Sequence, residues 1–151
     1  METGNLIIDA QAAFSRQRRR GRRERMRRRL LRRPGQSHGL ASLDAALGAS
    51  PPAVRGVAAL EAIALKSIVG TAEPVKAGAF DRRFRPPTTS RCRWERLWIA
   101  GRRGAPVPPI SVYRLGGEHF VSDGHHRVSV AHALGMAAID AEVIELAPAA
   151  T

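Results

Sequence analysis

"PPISVYRLGGEHFVSDGHHRVSVAHALG", residues 108–135, carries two periodicities within one short stretch. Residues 110–115 and 118–123 alternate apolar and polar side chains around Gly116-Gly117. A two-residue Gly-Gly loop adopts the primed turns that match strand twist, so the stretch predicts a β-hairpin. Its register pairs Val112 with Val121 on one face and Tyr113 with Phe120 on the other. Both faces are partly apolar, which predicts a hairpin inside a sheet. From about Gly124 to Leu134 the period becomes helical: Val128, Ala131 and Leu134 share a stripe, and Gly135 stops it. "AIDAEVIEL", residues 138–146, alternates again as a closing strand.

Working outward, "AIALKSIVGT" (62–71) reads as one β-branched strand, and "ASPPAVRG" (49–56) before it as a linker. Residues 42–48 predict a short helix with Ser42 as cap and Gly48 as stop. Residues 72–90 form a long polar connection anchored by Phe80 and Phe84. In "RCRWERLWIAGRRG", Trp94, Leu97 and Trp98 fall on one helical face, as core anchors do. The order strand, loop, helix, hairpin, helix, strand predicts a small α+β domain over residues 57–147, after a short helix and linker at 37–56.

The net charge of +12 is not spread evenly. Arg16 to Arg33 hold twelve arginines and one acid, Glu24, giving +11 and leaving the body almost neutral. Residues 1–36 are therefore expected to be a separate basic arm, disordered or frayed-helical, interrupted at Gly21 and ended by Pro34-Gly35. Arg18, Arg19, Arg20, Arg22, Arg23, Arg27, Arg28 and Arg29 are its candidate contacts to nucleic-acid phosphates, with little sequence preference. No apolar run approaches a membrane span, and "NLIIDAQAAF" precedes the arginines, the wrong order for a secretory leader. A cytoplasmic protein is expected. Cys92 stands alone, so neither an intrachain disulfide nor a C-x-x-C metal site is expected.

The chemistry gathers where hairpin meets helix, at Asp123-Gly124-His125-His126-Arg127. With Asp123 as N-cap, the first-turn amides lack intrahelical partners and lie at the positive end of the dipole. Such a turn binds phosphate or carboxylate. Gly124 admits an anion close to the backbone, Arg127 adds a planar fork of donors, and His125 and His126 titrate near neutrality. The corner is expected to be a phosphate cradle with proton-transfer groups, Asp123 or His125, beside it. The plainer alternative is a capped turn with surface histidines and a salt-bridged Arg127. A metal site is not expected, since His126 and His132 are not at the i, i+4 spacing of helical zinc ligands.

Residues 108–146, with "AIALKSIVGT" and "FDRRFRP" upstream, resemble the ParB/sulfiredoxin-like superfamily, notably small ParB-domain proteins of high-GC bacteria. The resemblance implies a mixed sheet with a hairpin and helices packed on it. It also implies a nucleotide, ATP, ADP or CTP, held by Gly124, His125, His126 and Arg127. Partitioning ParB proteins carry Gly-Glu-Arg-Arg here and continue into a helix-turn-helix, whereas this chain stops at Thr151; a partition role is not expected. Sulfiredoxins carry Gly-Cys-His-Arg; His125 takes the cysteine's place, so peroxiredoxin repair is not expected. Free-serine kinases of this fold have a similar Asp-Gly-His-His-Arg corner, which implies phosphoryl transfer to a small acceptor as the alternative activity. Mg2+ would then need a carboxylate from Asp123, Glu73 or Asp81, Glu73 opening the loop after the first strand. A metal-dependent nuclease, the third reading, needs a carboxylate cluster that the sequence does not assemble.

Overall fold

The computed structural model describes residues 2–31, 39–49 and 51–147; His38 and Pro34-Gly35 lie outside them. In chain order the elements are α1 (Leu6–Leu30), β1 (Ala41–Ser42), α2 (Leu43–Leu47), β2 (Ala53–Ala64), β3 (Ile68–Thr71), α3 (Arg91–Arg102), β4 (Ile110–Leu115), β5 (Glu118–Asp123), α4 (His125–Ala133) and β6 (Ala138–Ala147). The six strands form one mixed sheet in the order β1-β3-β5-β4-β6-β2. The chain is thus α+β.

The β4–β5 hairpin has the expected register, Val112 opposite Val121 and Tyr113 opposite Phe120. Gly116 and Gly117 turn it with φ of 58° and 86°, the left-handed pair that a primed turn requires. β3 flanks the hairpin on one side and β6 on the other, both parallel to their hairpin neighbour. One face, with Val112, Val121 and Val143, meets Val128 and Ala131 of α4 and the loop anchors Phe80 and Phe84 in the main core. The opposite face carries Phe120 and Leu146 against Leu43 of α2. Ser42 caps α2, accepting from the Ala45 amide, and Gly48 ends it, as read from the sequence. Arg114 reaches across the sheet, donating to both carboxylate oxygens of Glu61 on β2 and to Glu145 on β6.

The single strand expected over residues 62–71 is two. β2 runs back through the supposed linker and pairs antiparallel with β6 at the sheet border, with a break of register between Arg55 and Ala59. A 3-10 turn at Leu65–Ser67, where Ser67 Oγ donates to the Ala64 carbonyl, sends the chain to β3 beyond the hairpin. The border position explains the misreading, because its residues 53–60 are all exposed and need no apolar alternation.

The basic arm also differs from expectation. It is a continuous helix, α1, capped by Asn5 and passing through Gly21 without a break. Ala10, Ala13 and Phe14 in its first half are buried with Trp94 and Trp98 of α3 and Val130 of α4. Spaced at i, i+3 and i+4, these three residues form a narrow apolar stripe that tertiary packing converts into helix stability. Trp94 closes this second core, its indole N–H donating to Ser129 Oγ at 2.8 Å. Among the described residues no helix is long and apolar enough to cross a membrane.

Candidate phosphate corner and basic face

The strand-to-helix corner is built from Gly124 outward. Gly124, not Asp123, is the N-cap of α4, at φ 107°, and no side chain caps the helix. A Cβ at Gly124 would lie 2.5 Å from Ile110 Cγ2 and 3.2 Å from Arg127 Cζ. The glycine is therefore required by backbone conformation and by protein packing, which corrects the expectation that its bare Cα leaves room for an anion. Asp123, released from capping, instead accepts from Arg127 Nη2 at 2.9 Å. Arg127 Nη1 donates to the carbonyls of Pro108 and Pro109 at 2.7 and 2.8 Å. The guanidinium thus ties the corner to the segment entering β4, and three of its five N–H groups are already used. The salt bridge is the plainer alternative weighed for Arg127.

The histidines are not surface groups. His125 is 4% exposed and stacks on Phe80, and its Nε2 shares a 2.7 Å hydrogen bond with Thr71 Oγ1 at the end of β3. His126 meets the same phenyl ring edge-on, and its Nε2 is buried with no hydrogen-bond partner among the described residues. Burial lowers both imidazoles to about 4, helped at His125 by the Lys76 charge and at His126 by Arg93 and Lys76. Both are neutral at pH 7, so neither titrates near neutrality as expected. The first intrahelical bond of α4 runs from the Val128 amide to the Gly124 carbonyl, so the amides of His125, His126 and Arg127 precede it. Lys76 and Arg93, from the long loop and α3, bring positive charge to this turn. Neither was picked out from the sequence, since they lie 50 and 33 residues before His126.

Of the carboxylates considered for Mg2+, Asp123 is held by Arg127 and Asp81 by Arg85. Glu73 is exposed, and its backbone amide donates to the same Thr71 Oγ1 that contacts His125. Among the described residues no group of three or more His, Cys, Asp or Glu side chains is placed to hold a metal ion. A cleft of about 290 Å³ beside Arg127 is lined mainly by apolar groups, among them Leu97, Val107, Val130, Leu134 and Ile139.

The arginines of α1 divide into two sets. Arg18 donates to the Pro86 carbonyl at 3.1 Å, and Arg28 pairs with Glu24 at 2.9 Å. Glu24 also holds Arg85 at 2.5 Å, so the one acid of the basic run is engaged twice. Those contacts hold its carboxyl below the usual carboxylate range, the Arg85 hydrogen bond contributing most. Arg19, Arg20, Arg22, Arg23, Arg27 and Arg29 are exposed, and none makes an ion pair among the described residues. Beside them opens a cleft of about 690 Å³ between α1, β1, the 3-10 turn after β2 and the loop before α3.

Neither a protein-family model nor a curated protein sequence matches this chain. The chain is similar in structure to the sulfiredoxin from Arabidopsis thaliana. The likeness has a TM-score of 0.45 and 19% identity, covering 59% of this chain and 88% of the sulfiredoxin.

Proposed function

We propose that this protein binds nucleic acid through the exposed arginine face of α1. The observation that carries the reading is the helix itself: its first half is fixed in the core by Phe14, and its second half projects seven exposed arginines, Arg25 among them, none of which makes an ion pair among the described residues. From Arg19 to Arg29 the helix rises roughly 15 Å at 1.5 Å per residue, so those charges reach a few phosphates of a duplex backbone. Nothing in the array selects a base, and the binding is therefore weakly sequence-dependent and driven by counterion release. Fluorescence anisotropy with labelled duplex and single-stranded oligonucleotides, repeated across a salt series, tests this. A steep loss of affinity with salt supports it. Affinity unchanged by Arg19, Arg22, Arg23 and Arg27 to Gln would overturn it.

The α4 turn supports a second reading, a ParB-like module that seats a nucleotide phosphate. Lys76 and Arg93 both act on His126, beside three amides at a helix start, and this convergence favours an anion there. Gly124, His125, His126 and Arg127 would shape the seat, with ATP, ADP or CTP as ligands and Mg2+ as a possible companion of the phosphates. Titration with each nucleotide, with and without Mg2+, tests it; hydrolysis that requires a small hydroxylated acceptor would mark a kinase, with Asp123 or Glu73 receiving the proton. Binding that survives Lys76→Gln and Arg93→Gln together would sink this reading.

A further inference from the structure

The cleft beside α1 gathers Arg20, Lys66, Arg82 and Arg83 from three separated stretches of chain. All four are exposed, and none makes an ion pair among the described residues. Among the described residues no carboxylate lines the cleft. Arg85, which also lines the cleft, and neighbouring Arg18 and Arg28 are by contrast each held by a protein acceptor. Like charges assembled around one concavity repel unless an anion enters it. The floor is different in kind: buried Leu40, Leu65 and Ile68 back it, and the exposed His132 lies over the buried Phe84 ring, 6.0 Å between centroids and 16° between planes. At about 690 Å³ the cleft is well over twice the size of the apolar cleft beside Arg127.

Cationic walls beside an exposed, stacked imidazole suit a phosphate that carries a ring system. A duplex keeps its bases stacked inside, whereas a single strand can turn one out. We infer that this cleft receives one nucleotide of a single-stranded nucleic acid, its phosphate between Arg20, Lys66, Arg82 and Arg83 and its base against the His132 ring. The inference rests on the nucleic-acid reading of α1, which would deliver the strand, since Arg20 belongs to both the helix and the cleft wall.

The test uses the full chain and three labelled probes of equal length: a single strand, its duplex, and a single strand made of abasic units. One variant carries Lys66→Gln, Arg82→Gln and Arg83→Gln; a second carries Arg22→Gln and Arg23→Gln on α1, which do not line the cleft. We expect the cleft variant to lose about tenfold or more in single-strand affinity while its duplex affinity changes by about twofold. The α1 variant should weaken single strand and duplex alike. The abasic strand should bind the unaltered protein several-fold more weakly than the natural one. Equal losses for single strand and duplex in the cleft variant, or an abasic strand that binds as well as the natural one, would overturn the inference and leave the α1 reading intact. Failure of the unaltered protein to bind any probe would overturn both.

Discussion

Phe14 meets Trp94 edge to face, ring centroids 5.6 Å apart and planes at 69°, so a residue of the arginine-rich helix sits at the centre of the second core. Both side chains are fully buried, and the Arg91 guanidinium covers the Phe14 ring at 4.7 Å. Replacing Phe14 with Ala removes a large buried ring and leaves a cavity, at a cost of about 3 kcal/mol or more. We expect urea unfolding to show that loss, and oligonucleotide binding to weaken with it because the arginines lose their platform. Unchanged stability would mean that α1 is not seated as described.

Arg127→Ala should destabilise the protein by about 1–3 kcal/mol, because the carbonyls of Pro108 and Pro109 and the Asp123 carboxylate lose their shared donor. A thermal melt of the variant measures this directly. A variant as stable as the parent would show that the clamp contributes nothing to folding.

Acid should weaken the fold through its two buried histidines. His125 and His126 have folded values of about 4 against an ordinary 6.5, so between these limits the unfolded chain binds protons that the folded chain refuses. Their contribution to stability is complete above about pH 6.5 and falls as the pH drops towards 4, by on the order of 1.4 kcal/mol per pH unit for each histidine. Urea midpoints at pH 7, 6 and 5 should fall in that order. A flat series, or histidine proton resonances that titrate near 6.5, would contradict the buried placement.

Gly21→Ala should stabilise the protein. Gly21 lies within α1, where alanine is favoured by roughly 0.5–1 kcal/mol, and an added Cβ would rest 3.6 Å from Arg85 Cδ and Asp81 Oδ2, an ordinary contact. A higher melting temperature with unaltered oligonucleotide affinity is the expected result; a lower one would mean that the loop needs a closer approach.

The parts of the fold legible in the sequence are those written in local pattern. Val112, Tyr113, Phe120 and Val121 set the hairpin register through a two-residue loop, and Trp94 and Trp98 announce a buried helix face by spacing alone. α1 was harder to read because Ala10, Ala13 and Phe14 are outnumbered by arginines, and a three-residue stripe gains helix stability only from α3 and α4. At the corner the residue types were visible, but their partners were not. Arg127 turns to carbonyls 18 and 19 residues earlier, and His125 to Thr71, 54 residues earlier. The basic cleft was not legible in the sequence as a site, since Arg20, Lys66, Arg82 and Arg83 lie far apart in the chain and become neighbours only in the fold.

That same β2 bears on how the molecule behaves in crowded solution. A straight, twelve-residue outer strand showing Val54, Val57 and Leu60 would be a template on which further copies could zip edge to edge. The interruption of pairing between Arg55 and Ala59 divides this margin into runs of three and six residues, and a break of this kind bends and twists a border strand away from a flat template.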